Sequence, residues 1–311
     1  MFPFDQAVSL LFVATLALHA VFVSYVVAGT AYVLVQTLRR REDPLVAIVR
    51  DRLPFMLGCG ITAGVAPLLF IQLLHQQRYY TANLLLGPRW MAIIPALIVG
   101  FYALYLAKQT ERWRRATTGI ALACFLFVAW SWSELHELGK ADAVWRAFYA
   151  AGDRLFTAAT IAPRFVLIAG AMATLFATVA VWSTDERKRL AVLGLAGRLV
   201  SIGGAIWLWR AGFDVIPAVR PWLIVLFAAV VIEIAAWVVT LRLPTDRSLA
   251  VVTAAGTSAL LAAAVVRESP RIAMIEPVHP LAAGAGGWVV FAIALVIGIG
   301  AIAWIVRTVR A

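Results

Sequence analysis

From Leu10 to Gln36 the chain runs almost without a break in apolar residues, and near the middle of that run stands one imidazole, His19. About 20 such residues cross a bilayer as a helix. In lipid, only a helix or a closed barrel satisfies every backbone group. Eight further apolar segments follow, so that nine are drawn in all, at about 6–37, 53–76, 90–107, 117–133, 160–182, 190–209, 221–241, 248–266 and 287–306. The composition agrees, with 63% hydrophobic and 14% charged residues, against about 45–50% and 25% in a soluble domain. The reading is an all-α, polytopic bundle of about nine transmembrane helices, forming one integral membrane domain over 1–311.

Basic residues set the expected direction. Arg39, Arg40, Arg41, Arg50 and Arg52 mark the first connection, Lys108, Arg112, Arg114 and Arg115 the third, and Arg187, Lys188 and Arg189 the fifth. Arg242 and Arg247 mark the seventh, and Arg307 and Arg310 lie near the last residue. The positive-inside rule puts the N-terminus outside and the C-terminus in the cytoplasm, in a bacterial inner membrane. Asp5 and the lack of a basic stretch before the first run read as a retained helix start, not a cleaved signal. The net charge of +11 falls in short clusters between apolar runs, which fits topology signals and lipid headgroups rather than nucleic acid. Cys59 and Cys124 sit inside apolar runs without CxxC or CxxCH spacing and read as packing residues.

An intramembrane imidazole needs a partner. His19 is open to three readings: a haem ligand, a neutral ring bonded to a backbone carbonyl of the next helix, or a proton relay. The second segment carries Gly58, Gly60, Gly64 and Pro67. Gly60 and Gly64 are a small-xxx-small pair that permits close helix approach, and Pro67 predicts a kink because it frees a carbonyl.

His75, His136 and His279 are expected at the outer face with Glu134, Glu137, Asp142 and Glu276. Such a set suits a divalent metal. With no HExxH spacing, a solvated polar rim is the expectation. The fourth connection, Ser131 to Ala159, contains Asp142–Tyr149, which suits an interfacial amphipathic helix. Arg198 lies roughly 13 Å in from the Arg189 cluster, and Glu233 roughly 18 Å in from the outer end of its segment. Both therefore reach one depth in a core about 30 Å thick, which predicts an Arg198–Glu233 ion pair; a functional version makes Glu233 a proton carrier.

The run LALHAVFVSYVVAGTAYVL resembles the first helix of cytochrome bd quinol oxidase subunit I, where a haem-ligating His precedes a similar apolar stretch. Gly64-Val65-Ala66-Pro67 resembles the glycine–proline part of that family's second helix, and Ala162-Pro163-Arg164-Phe165-Val166 resembles the start of its fifth. The chain departs from the family elsewhere. Leu167 stands where a second haem-ligating His is found, and Leu69 and Ile71 where Glu and Gln follow the proline. The segment 90–107 has no carboxylate, and Ala211 to Arg220 is too short for a quinol-binding loop.

The resemblance implies one haem b on His19, with Arg164 pairing a propionate. The second ligand to the iron would be His75, the imidazole in the adjacent helix, or Met172 as a softer alternative. His75 would sit near the surface, whereas His19 is roughly 21 Å down from Asp5. The function implied is a membrane subunit of a respiratory electron-transfer complex. It would pass electrons between quinol or quinone and a periplasmic cytochrome or other redox partner, and would not reduce oxygen by itself. The alternative is a haem-free anchor that docks a periplasmic redox protein. A solute transporter with Arg198 and Glu233 in its path is opposed by the lack of an inverted repeat. No GxSxG, HExxH, Walker or GxGxxG motif in a suitable context marks another enzyme class.

Overall fold

In the computed structural model, residues 4–40, 44–272 and 274–275 are described, with positions 293, 296, 297 and 300. The expected ninth segment, Arg41, Glu276 and His279 lie outside the described residues, those four positions apart. Apolar runs of this length must bond their backbones internally, and every regular element described is helical. In chain order these are α1 (Phe4–Leu38), α2 (Pro44–Leu74), α3 (Gln76–Leu86), α4 (Pro88–Met91), α5 (Ile93–Gln109) and α6 (Arg114–Leu138). They continue as α7 (Trp145–Ala151), α8 (Ile161–Ala180), α9 (Arg187–Arg210), α10 (Arg220–Arg242) and α11 (Asp246–Ile272). Among the described residues, eight stretches are long and apolar enough to cross a membrane, with α4 and α5 forming one of them. Over its described residues the protein is an all-helical, multi-pass membrane protein.

Several helices outrun the apolar segments that announce them. α2 starts at Pro44, α6 runs from Arg114 to Leu138, and α11 continues to Ile272. Hydropathy falls where charges begin, but the backbone stays helical because the added turns pack against neighbours. α2 is α-helical through both Pro54 and Pro67, so the proline interrupts hydrogen bonding without ending the helix.

Consecutive helices pack as hairpins: α1 with α2, α5 with α6, α8 with α9, and α10 with α11. α1 is central and also meets α6, α8 and α11. The α8–α9 contact is backbone on backbone. A β-carbon at Gly197 would lie 2.8 Å from both Gly170 O and Thr174 N, and one at Gly204 would lie 2.6 Å from Leu167 Cα. Thr174 Oγ1 donates across this contact to Gly194 O at 3.0 Å. Small residues bring the two helices together because close packing, not water exclusion, drives association in lipid.

Two apolar cores fill the bundle. The larger joins Tyr25, Val49, Leu53, Phe125, Phe176, Leu190 and Trp237. The smaller joins Val8, Phe12, Ile71, Leu74, Tyr79, Leu85, Leu135 and Leu138, beside His75. Leu199, Ile224 and Phe227 point outward and are exposed, as expected of side chains that face lipid.

Candidate functional site

Three groups of polar side chains interrupt this apolar frame. The first is His19, on α1, whose Nδ1 lies 2.9 Å from Gly60 O of α2. A carbonyl only accepts, so Nδ1 carries the proton and, in the neutral ring, Nε2 keeps its lone pair. The ring rests on Gly64, where a β-carbon would lie 2.8 Å from His19 Cε1. The Gly60–Gly64 pair therefore seats the imidazole: one glycine supplies the acceptor and the other supplies the space.

The residues present do not fit a haem held by His19 and His75. Gly64, which touches His19, stands eleven residues before His75 on α2, or about 16 Å along the helix. Metal–imidazole bonds are about 2 Å long, so two ligands of one ion stand no more than about 4 Å apart. His75 is also engaged elsewhere, its Nδ1 donating to Met274 O at 3.3 Å. Met172 is carried by α8, which meets α1 through the Tyr25 and Phe176 rings, 5.3 Å apart, whereas His19 is turned toward α2. No group of three or more His, Cys, Asp or Glu side chains suited to a metal occurs among the described residues. Neither the recess beside His136 nor the one beside Tyr102 is lined by His19.

The second group is Arg198 on α9 with Glu233 on α10, which the structure brings together as a buried ion pair through Nη2 and Oε2. Small residues make room for it. A β-carbon at Gly256 would lie 3.2 Å from Glu233 Oε1, and one at Gly194 would lie 2.6 Å from Cε2 of the Trp237 indole. The pair cancels two charges that would each be costly in the membrane interior.

The third group lies where α2, α6 and α11 end and α8 begins, beside His75. Here the expected solvated rim is corrected: His75, His136 and Glu137 are buried, and Glu134 is fully so. The cause is the extension of α6 to Leu138, which α3 covers through Tyr79, Leu85 and Leu86. Glu137 gathers three partners: Arg164 Nη2 at 2.6 Å, Lys140 Nζ at 2.8 Å and Thr160 Oγ1, donating at 2.7 Å. Arg164 is therefore answered by the protein's own carboxylate, and it also faces the Phe213 ring at 5.9 Å. Burial pushes the Lys140 ammonium below its ordinary value, and the Glu137 carboxylate works against that shift.

On α11, Glu268 accepts from Arg271 Nε at 2.9 Å and also pairs with Arg267. Arg89 pairs with Glu134, while Arg78 reaches Asp142 at 2.9 Å and donates to Gly139 O at 3.2 Å. The expected interfacial helix at Asp142–Tyr149 is found as a short turn followed by α7, with Tyr149 exposed. Trp145 Nε1, at the start of α7, donates to Leu138 O at 2.7 Å.

His136 alone among these groups has both ring nitrogens buried with no hydrogen-bond partner among the described residues. It faces a recess of about 20 Å³, room for little more than one water, lined also by His75, Arg78, Trp132, Arg267 and Arg271. Arg267, Glu268 and Arg271 escape the sequence reading because the eighth segment is drawn only to 266. The three-residue spacing of Glu268 and Arg271, which suits a helical ion pair, is the signal that would have extended it.

No known protein family, curated protein or solved structure matches this chain.

Proposed function

We propose that this chain is a membrane anchor subunit that docks a partner protein at its His75 end and does not itself carry the redox group. The observation behind this reading is the seating of His19, its proton given to Gly60 O and its ring set on Gly64. The docking face is the stretch after α6, where Val144, Tyr149 and Leu155 are exposed beside charged groups. The electron-transfer setting rests on the sequence patches that resemble cytochrome bd subunit I. With the arginine-rich end in the cytoplasm, the docking face lies on the periplasmic side of a bacterial inner membrane. A periplasmic cytochrome or similar redox protein is then the partner.

The test is a reduced-minus-oxidised visible spectrum of the purified, folded chain with haem extracted and quantified, joined to photo-crosslinking from position 149 in native membranes. The expected result is no stoichiometric haem in the chain and a crosslink to a periplasmic redox protein. A stoichiometric b-type haem that is lost in His19→Ala would overturn the reading.

That outcome would establish a second reading, a membrane cytochrome b exchanging electrons with quinol, which one observation favours. Metal-ligating histidines commonly donate one ring N–H to a backbone carbonyl or carboxylate, and His19 donates from Nδ1 with Nε2 left to bind iron. For this, α1 and α2 would have to separate at Gly64.

A further inference from the structure

We infer that the recess at the His75 end is a binding site for a phosphate-type oxyanion. Three independent observations carry this. The first is charge. Around the recess and its ion-pair network stand Arg78, Lys140, Arg164, Arg267 and Arg271, five cations, against Glu137, Asp142 and Glu268, three carboxylates. The difference is two positive charges among the described residues, in a place where Arg164 and Arg271 are nearly removed from solvent. A water molecule in the recess would leave that excess unanswered.

The second observation is His136. It is only 4% exposed, it lines the recess, and neither ring nitrogen has a hydrogen-bond partner among the described residues. A buried polar group without a partner is costly, and an acceptor oxygen entering the recess would give its N–H one. The third is size and place. The recess admits one or two oxygen atoms and no large body, so the ligand enters by an oxyanionic tip. The site lies where helices leave the apolar slab, the level of lipid headgroups, and guanidinium forks such as those of Arg267 and Arg271 match phosphate oxygens geometrically.

The phosphate can come from a lipid headgroup or from solution, and the experiment separates these. The purified full chain is titrated with inorganic phosphate in detergent, against chloride at matched ionic strength, while its thermal midpoint is followed. The same titration is run in nanodiscs of phosphatidylcholine alone and with added phosphatidylglycerol. Arg267→Gln is the principal variant, because Arg267 is partly exposed and its loss leaves Glu268 paired with Arg271 and Glu137 paired with Arg164; His136→Asn is the second.

Phosphate should stabilise the wild type saturably, with an apparent affinity about tenfold weaker in Arg267→Gln, the loss of one charge-assisted hydrogen bond. If phosphatidylglycerol stabilises the wild type and abolishes the effect of added phosphate, the occupant is a lipid headgroup. If phosphate acts equally in both discs, it is a free anion. No saturable response, or an equal response in wild type and Arg267→Gln, would overturn the site.

Discussion

At the scale of single residues, His19 and Gly64 illustrate how far a side chain's meaning depends on what stands across from it. A residue larger than glycine at 64 would drive its β-carbon to 2.8 Å from His19 Cε1. Gly64→Leu is expected to cost about 1–3 kcal/mol, the usual penalty of overpacking. His19→Ala in that background should recover much of the loss, because the clashing ring is gone. Denaturation of the four proteins of this cycle in mixed micelles measures the coupling, and additive losses would show that the contact is absent. The need for a partner at His19 was legible in the sequence, since an imidazole in a long apolar run has few alternatives. Which partner was not, because haem iron and a glycine carbonyl ask the same thing of the chain, a ring facing α2. The same limit applied to Arg164, whose charge called for an anion that proved to be Glu137.

At the scale of helices, existence was far easier to read than pairing. Apolar length announced eight of the described crossings, while their ends were missed wherever charged turns continued the helix, as at Arg267, Glu268 and Arg271 on α11. Gly170, Gly197 and Gly204 went unread in the sequence, because a glycine in an apolar run does not name what packs on it, and the structure assigns them to α8 against α9. Adjacent glycines on α9 should respond with opposite signs. Gly204→Ala forces a β-carbon into the α8 backbone and is expected to cost about 1–3 kcal/mol. Gly203→Ala meets open space and should gain up to about 1 kcal/mol from helix propensity. Equal effects in thermal denaturation would refute the close contact. Arg198 and Glu233, brought together as the depth argument expects, fasten α9 to α10. Either single change, Arg198→Met or Glu233→Leu, should cost about 3–5 kcal/mol by leaving one charge buried alone. The double substitution should recover most of that, and single variants as stable as wild type would refute the pair's role.

For the whole molecule, the two ends of the bundle differ in how their charges are used. At the end carrying Arg189, basic residues stand at the turns between helices, with Arg50 beside Asp51 and Arg187 beside Asp246 as exposed pairs of little energetic consequence. At the end carrying His75, by contrast, charges are drawn inward and fixed by partners from several helices, which makes that end the ordered face. If the positive-inside rule holds, the ordered face is periplasmic, and the molecule's orientation becomes a direct test of where a partner or anion must come from. Asp153 and Asp185 are both exposed and lie at opposite ends of α8 and its continuation. With Cys59 and Cys124 replaced, Asp153→Cys should react with a membrane-impermeant maleimide in intact cells. Asp185→Cys should react only after the membrane is opened. The reverse pattern would turn the bundle over, moving the His136 recess and the Tyr149 face to the cytoplasm, so that a periplasmic partner could reach neither. Labelling of both sites in intact cells would mean that the segment between them does not cross the membrane, and the eight-span reading of the described residues would fail with it.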